Sequence, residues 1–321
     1  MRVMVLGGSG FVGRHAVSAL LARGHTVIIG TRCPRRAARR LPPQALGCER
    51  REIHFEFLTT RHVWRPLLAG VEVVVNAAGI LRERGGETYD RVHHMAPAAL
   101  ALACERLGVR LIHVSVLGLR RESRNRFLRS KLAGERAIAA SAADYRLVRP
   151  SLLDGEGGFG AHWLRRMARL PLHFHPADAA GLFAALDVRD LGDALARLCE
   201  LPGDAAPREI ELGGAAKRTL AEHLDALRAA TGERPALRIP VPATLAYVAC
   251  LLADTLHVSP FSRGLLALAR RDNLPRENLL QALIGRAPAP VGGRAPATVR
   301  RAYAFMAMPT GHETPVPPSP Q

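Results

Sequence analysis

A glycine triplet spaced Gly7-x-x-Gly10-x-x-Gly13 follows the apolar run Arg2 to Leu6 and opens a stretch with helical periodicity at Val17, Leu20 and Leu21. Strand, tight turn and helix in that order let the backbone approach a phosphate, whose charge the amides at the helix N-terminus can hold. Gly7, Ser9, Gly10, Phe11, Val12 and Gly13 are therefore the candidates for holding a dinucleotide pyrophosphate. At the end of the next strand, a site selecting free ribose hydroxyls needs Asp or Glu, but the chain reads Thr31-Arg32 there, with Arg36 shortly after. Guanidinium groups pair bidentately with phosphate, so Thr31, Arg32 and Arg36 predict a preference for NADP(H), with NAD(H) as the alternative cofactor. Arg39 and Arg40 read more simply as a solvated basic loop.

Lys131 is the second chemical signal. The chain holds 45 Lys and Arg residues, and only Lys131 and Lys217 are lysines, so an ammonium and not any cation is wanted at position 131. A helix from about Phe127 to Ala140 sets Phe127, Lys131 and Glu135 on one face at i, i+4 and i+8, and an ordinary Lys131–Glu135 helix pair is the plainer reading. His93 and His94 open another expected helix; surface or capping roles are expected, with proton donation as the lesser alternative. Asp187 and Asp190 stand at the start of a late helix, where N-capping is expected.

The elements that must position these residues alternate. Strands are expected at Arg2 to Leu6, Thr26 to Ile29, around Ile53 to Leu58, Val71 to Asn76, Leu111 to Ser115 and Tyr145 to Val148. Helices fall after Gly10, at Pro97 to Leu107 and at Phe127 to Ala140, with Arg32 to Arg40 as a basic loop. Such alternation specifies an α/β fold, a doubly wound parallel sheet of the Rossmann type. Beyond Arg149 the pattern weakens into Gly- and Pro-rich stretches (Gly155 to Gly160, Leu170 to Ala177) between helices expected at Leu191 to Cys199 and Leu220 to Ala230. We therefore expect a dinucleotide-binding domain over residues 1–155 and a smaller C-terminal α+β lobe for substrate or partner over 156–305, interleaved with the first. Residues 306–321, rich in Pro, Thr and Ser, read as a disordered tail.

These residues resemble the extended and atypical short-chain dehydrogenase/reductases. The resemblance rests on the glycine turn, Asn76-Ala77-Ala78-Gly79, Ser115-Val116-Leu117-Gly118, Ser130-Lys131-Leu132-Ala133-Gly134-Glu135 and Arg149-Pro150-Ser151. Within that superfamily the chain is most similar to the branch holding the NADPH-binding accessory subunit of respiratory complex I and its bacterial relatives. Val92-His93 before Pro97-Ala98-Ala99-Leu100, and Ser259-Pro260-Phe261 leading to Arg271-Asp272-Asn273, carry that finer likeness. The resemblance implies that Asn76, Ala77, Ala78, Gly79, Lys131, Pro150 and Ser151 line the cofactor cleft, and that Lys131 and Ser115 hold the catalytic positions. It also implies a Tyr four residues before the Lys, and that position is Phe127. Without an ionisable group there, the usual acid/base exchange is lost. The other tyrosines, Tyr89, Tyr145, Tyr247 and Tyr303, lie in other elements, and none is expected to substitute.

Two main readings follow. One is a cofactor-binding accessory or assembly protein of little turnover, linked to respiratory or quinone metabolism; the other is an active NADP-dependent oxidoreductase or epimerase using Lys131, a histidine or a water chain. A nucleotide-sensing regulator is a third class. Composition narrows the partners. The 321 residues are 48% hydrophobic and 23% charged, the profile of a folded chain, with a formal net charge of +17 carried almost wholly by arginine. With aromatics at 5%, stacking platforms for single strands are scarce, so no specific nucleic acid is expected. Five widely spaced cysteines without a CxxC suggest neither a disulfide framework nor a metal site, but small core residues or inert thiols. No run is long and apolar enough to span a bilayer and no signal peptide opens the chain, so the expected location is cytoplasmic, with peripheral contact at the inner membrane face as an alternative. The stretch Pro240 to Leu268, with the apolar helix expected at Thr244 to Leu256, is the candidate docking surface for a protein or membrane partner, a core helix being the competing reading.

Overall fold

The computed structural model describes residues 1–123, 125–256 and 262–291. Its strands are β1 (Arg2–Leu6), β2 (Thr26–Thr31), β3 (Glu49–Glu52), β4 (Val73–Asn76), β5 (Arg110–Val114), β6 (Tyr145–Pro150), β7 (Leu153–Asp154), β8 (Leu172–Pro176), β9 (Leu186–Asp187), β10 (Glu209–Leu212) and β11 (Leu237–Val241). Its helices are α1 (Phe11–Ala22), α2 (Pro34–Ala37), α3 (Arg61–Trp64), α4 (Ala96–Leu107), α5 (Arg126–Ala139), α6 (Phe159–Ala168), α7 (Val188–Glu200), α8 (Leu220–Ala229), α9 (Ala243–Leu256), α10 (Arg263–Ala269) and α11 (Leu280–Ile284).

A seven-stranded sheet runs in the order β10-β6-β5-β4-β1-β2-β3, every pair parallel. Helices cover both faces, so the central strands are apolar without interruption, as in the fully buried Val73-Val74-Val75-Asn76. Alternation along β1 sorts its side chains: Val3 and Val5 pack with Val17 and Leu20 of α1 and Leu191 and Leu195 of α7, while Met4 and Leu6 pack with Trp64 and Leu100 on the other face. Each such side chain, fully buried, contributes about 1.5–3 kcal/mol. Strand order reverses between β1 and β4, and there the carboxyl ends of the strands open a crevice for a ligand. Smaller C-terminal elements include two parallel pairs, β7 with β9 and β8 with β11.

Several expectations are corrected. The strand expected around Ile53 to Leu58 is instead β3 at Glu49–Glu52, and Phe55–Phe57 forms a 3-10 turn. An edge strand needs only backbone pairing, so the exposed Glu-Arg-Arg-Glu sequence gave no apolar pattern, while Ile53 and Phe55 turn inward beneath the sheet. The basic loop contains one helical turn, α2, and Leu170 to Ala177 contains β8. Asp187 does cap α7, accepting from the Arg189 amide at 2.8 Å. Asp190 does not cap: fully buried, it accepts from Arg286 at 2.7 Å and from the Ala289 amide at 2.6 Å, strapping the chain after α11 to α7. Cys104, Cys199 and Cys250 are buried, whereas Cys33 is exposed. Desolvation pushes the Cys104 and Cys199 thiols up to about 12. Ser259-Pro260-Phe261 and residues 306–321 lie outside the described residues.

Candidate functional site

The crevice is built first by the glycine turn. Gly10 donates its amide to Gly7 at 2.8 Å, and Gly7 takes a φ of +72°, a left-handed conformation that disfavours other residues. A Cβ on Gly13 would lie 2.2 Å from the Gly7 carbonyl oxygen, so only glycine lets α1 start this close to the strand end. No side chain caps α1, which leaves the amides of its first turn to an anionic group. Ser9 Oγ and Thr31 Oγ1 hydrogen-bond at 2.8 Å, tying the turn to the end of β2. The loop after β7 closes from above: the Arg14 guanidinium donates to the Glu156 carbonyl, and a Cβ on Gly158 would meet the Phe11 ring at 2.7 Å.

Beside the turn, Arg32 is exposed and forms an ion pair with Glu87, a residue from the segment between β4 and α4. Arg36 is exposed on α2. The sequence reading found no carboxylate at the end of β2; the structure brings one to Arg32 from 55 residues away.

After β4, the fully buried Asn76 side chain donates to His113 Nδ1 at 3.0 Å and accepts from the Ala78 amide at 3.2 Å. Both its polar ends are thus engaged within the protein, holding the Ala77-Ala78-Gly79 backbone against β5. Ala77 and Ala78 lie 3.0 Å from where a Cβ on Gly7 would stand, so this backbone forms the other lip of the glycine turn.

A π-helical turn over Arg91–Met95 precedes α4 and buries His93. His93 is neither a surface nor a capping residue. Its Nε2 accepts from the Ile80 amide at 3.0 Å, and its Nδ1 lies 3.1 Å from Ser130 Oγ, which itself donates to the Phe127 carbonyl at 2.8 Å. These partners assign the neutral tautomer with the proton on Nδ1. Burial holds His93 well below the usual histidine range, and the Lys131 ammonium and His113 add to that. Burial, then Lys131, likewise pushes His113 down to about 3. His94 is half-buried and bonds to Asp90 at 2.8 Å.

Asn125 caps α5, accepting from the Leu128 amide at 3.2 Å. A Cβ on Gly134 would lie 1.9 Å from the His93 carbonyl oxygen, so glycine lets α5 pack onto the π-helical turn. That packing presents Lys131: its Nζ and His93 Nε2 lie 3.8 and 3.6 Å from the Cβ position of Gly79. Lys131 is half-buried, and desolvation pushes its ammonium down to about 8 against the opposing pull of Glu135. Glu135, however, makes no helix pair with Lys131 as its salt bridge; it is buried and binds Arg149 of β6 through contacts of 3.0, 3.1 and 2.6 Å. Arg149 reaches on to Glu209 of β10 at 2.7 Å, so this chain of charges stitches α5 to two strands.

Phe127 is half-buried one turn before Lys131, its ring edge-on to His93 at 5.4 Å and to Tyr89 at 5.7 Å. Tyr89 stacks on His93 at 5.6 Å and donates its hydroxyl to the Leu81 carbonyl at 2.7 Å. Tyr89, expected in another element, stands in the same aromatic cluster, and no short-range spacing signals that. Ser115 and Ser151, at the carboxyl ends of β5 and β6, are buried with hydroxyls that find no hydrogen-bond partner among the described residues. Such orphaned groups fit a bound polar molecule. Pro150 accepts from the Leu117 amide at 3.0 Å, linking the loops after β5 and β6. The segment Arg271-Asp272-Asn273 closes on the same side: the Asp272 side chain accepts from the Leu182 amide at 2.9 Å, and a Cβ on Gly118 would meet Asn273 Oδ1 at 2.6 Å. Among the described residues no cluster of His, Cys, Asp or Glu could hold a metal ion.

Comparison with known proteins agrees with this architecture. Residues 7–165 match an NAD(P)H-binding family model. Ceramide reductase of Caulobacter vibrioides is 30% identical over 204 residues, 62% of this chain and 61% of that protein. The mitochondrial NADH dehydrogenase [ubiquinone] 1 alpha subcomplex subunit 9 of Dictyostelium discoideum is 27% identical over 239 residues, 74% of this chain and 66% of that protein. The chain thus spans less than two thirds of the length of these curated relatives. Among solved structures, the NADPH-dependent quinone oxidoreductase of Escherichia coli complexed with NADPH shares the fold, with a TM-score of 0.68 and 18% identity over 94% of this chain and 100% of that one. The glycine turn, the switch-point crevice and the match over residues 7–165 together identify an NAD(P)H-binding domain, in a chain that resembles the atypical short-chain dehydrogenase/reductases and the accessory subunit of respiratory complex I.

Proposed function

We propose that this protein binds NADP(H) tightly and turns it over slowly or not at all, serving as a cofactor-stabilised accessory or assembly protein in respiratory or quinone metabolism. One observation carries the reading: a phenylalanine, Phe127, stands one helical turn before Lys131, where the family keeps its tyrosine. Benzene has no proton to give, and the neighbouring His93 spends both ring nitrogens on Ile80 and Ser130. In this reading the amides of Phe11, Val12 and Gly13, with Gly7, Ser9 and Gly10, hold the pyrophosphate. Thr31, Arg32 and Arg36 face the adenosine ribose and its phosphate, while Ala77, Ala78, Gly79, Lys131, Pro150 and Ser151 line the nicotinamide half. Bound there, the cofactor would supply reducing equivalents. In this reading the docking surface of such an accessory protein falls in the C-terminal lobe, over Pro240 to Leu268.

Two features favour the second reading, an active NADP-dependent reductase or epimerase. The ammonium of Lys131 is pushed to about 8, within reach of proton exchange near neutral pH, and the Ser115 hydroxyl has no partner among the described residues. Purified protein offered NADPH with a panel of quinones and carbonyls separates the two. The first reading expects saturable NADPH binding with absorbance at the nicotinamide band unchanged. Steady oxidation of NADPH that Lys131→Ala abolishes would instead establish the second.

A further inference from the structure

The C-terminal lobe exposes apolar side chains that a folded chain ordinarily buries. In the parallel pair β8 and β11, Leu172 sits beside Leu237 and Phe174 beside Ile239, so these four share one face of the two-stranded sheet. Leu172, Phe174 and Leu237 are 38%, 48% and 65% exposed, while His173 on the opposite face is fully buried. Pro242 alone separates β11 from α9. Residues 243–253 of α9 carry no charge; Ala246 and Cys250 face the protein, while Leu245, Val248 and Leu251 are 59%, 48% and 41% exposed. Exposed apolar side chains on two elements joined by a single residue mark a candidate interaction face.

Charge decides the occupant. Arg166 and Arg169, both exposed, lead directly into β8, and the exposed Arg234 leads into β11. The lobe's nearby carboxylates are already paired: Asp225 with His173 and Arg238, Glu233 with Arg228, and Asp178 with Arg270. A second copy docked through this face would bring two arginine-bearing rims of the same sign together. An anionic surface would instead complement them and a chain of net charge +17. No described helix is long and apolar enough to cross a membrane, so contact with a bilayer is interfacial.

We propose that β8, β11 and α9 form a docking face for an anionic phospholipid bilayer, with Phe174, Leu237, Leu245 and Val248 entering the headgroup–acyl boundary and Arg166, Arg169 and Arg234 meeting lipid phosphates. This gives a specific partner to the docking role assigned above and does not depend on whether the cofactor is consumed. The face belongs to the full chain, and the fold supplies the polar side that α9 lacks.

The test is flotation of the full-length protein with vesicles of phosphatidylcholine alone or mixed with phosphatidylglycerol, NADPH titration being run on the same samples. Expected is binding to the mixed vesicles, weak binding to phosphatidylcholine, and partial loss in high salt. Phe174→Glu with Leu237→Glu, and separately Leu245→Glu with Val248→Glu, should each lower vesicle affinity by about tenfold or more, because each buried apolar contact is replaced by a repelled carboxylate. NADPH binding should stay at the wild-type level in both, which also reports that they fold. As a gain of signal, the fluorescence of Val248→Trp should be quenched by brominated lipid in the mixed vesicles. Absence of flotation with phosphatidylglycerol, binding indifferent to both double variants, an unquenched Val248→Trp, or a dimer that these variants dissociate would each overturn the proposal. Loss of NADPH binding by the wild type would instead overturn the cofactor reading and leave the vesicle result to judge the docking face.

Discussion

Arg32 at the end of β2 is held in an ion pair by Glu87, which arrives from the segment leading into the π-helical turn. The guanidinium that would meet a 2′-phosphate therefore already has an anionic partner. A phosphate entering here has to displace Glu87 or share Arg32 with it.

Cofactor preference should follow that competition. Fluorescence titration should give tighter binding of NADPH than NADH, and Arg32→Asp should reverse the order, because a carboxylate repels the phosphate and accepts from ribose hydroxyls. Glu87→Gln should tighten NADPH binding by roughly tenfold, the scale of one charge-assisted hydrogen bond, with NADH little changed. Equal affinity of the wild type for both cofactors would remove Arg32 from the selecting role.

Lys131 gives the binding a pH dependence with a defined sign. Desolvation pushes its ammonium down to about 8. Below that value the cation is present to hold polar groups of a bound cofactor; above it the amine is neutral and the hold weakens. NADPH affinity should fall as pH rises through about 8, and Lys131→Met should be weak and flat across the same range. Stability of the free chain moves the other way. The folded state releases this proton more readily than the unfolded chain does, so the group's penalty is full below about 8 and is relieved as pH climbs toward the ordinary lysine value.

The packing beneath Lys131 can be broken from either side. Gly134→Ala places a methyl against the His93 carbonyl, where 1.9 Å of separation forces α5 away from the π-helical turn. Overpacking of this kind costs about 1–3 kcal/mol, read as a lowered melting temperature, and NADPH binding should fall further than the stability loss alone explains. A melting curve unchanged by Gly134→Ala would mean that α5 does not pack as described.

Glu135→Leu should be the more damaging change. It leaves Arg149 with only the exposed Glu209 as a carboxylate partner, a loss that approaches, as an upper bound, the cost of a broken buried pair, about 3–5 kcal/mol. Replacing both partners, Glu135→Leu with Arg149→Met, should recover much of that loss in a double-mutant cycle. Additive losses would show that the two side chains act independently.

Much of this was legible in the chain and some of it was not, for physical reasons. Val73 to Asn76 and Arg2 to Leu6 announce themselves because strands buried on both faces must be apolar throughout, and the glycine turn does so because only glycine fits at Gly7 and Gly13. The edge strand Glu49–Glu52 is silent because its stability comes from backbone pairing with β2. Asp190 and Glu135 were read from their own helices, yet their partners, Arg286 and Arg149, lie 96 and 14 residues away. Tyr89 and Glu87 escaped for the same reason: the segment between β4 and α4 has no periodicity, and only the tertiary fold turns it back over the crevice.

Phe127 carries the remaining question, whether a hydroxyl at this position would give the crevice its chemistry. Its ring already packs edge-on against His93 and Tyr89, so Phe127→Tyr adds a hydroxyl without changing the volume the cluster must accommodate by more than one oxygen. If the pocket around Lys131 is otherwise competent, the phenol gains a neighbouring ammonium that favours its ionised form. A positioned acid or base contributes about 10²–10⁴-fold, so oxidation of NADPH by a suitable quinone or carbonyl should rise by that order in Phe127→Tyr, with a pH profile absent from the wild type. Phe127→Tyr combined with Lys131→Ala should return to the wild-type baseline, since the phenol then lacks its cation. An accessory protein whose pocket no longer admits a substrate would show the same slow background in all three. Wild-type turnover as fast as that of Phe127→Tyr, surviving both Lys131→Ala and Tyr89→Phe, would show that the proton comes from elsewhere in the crevice.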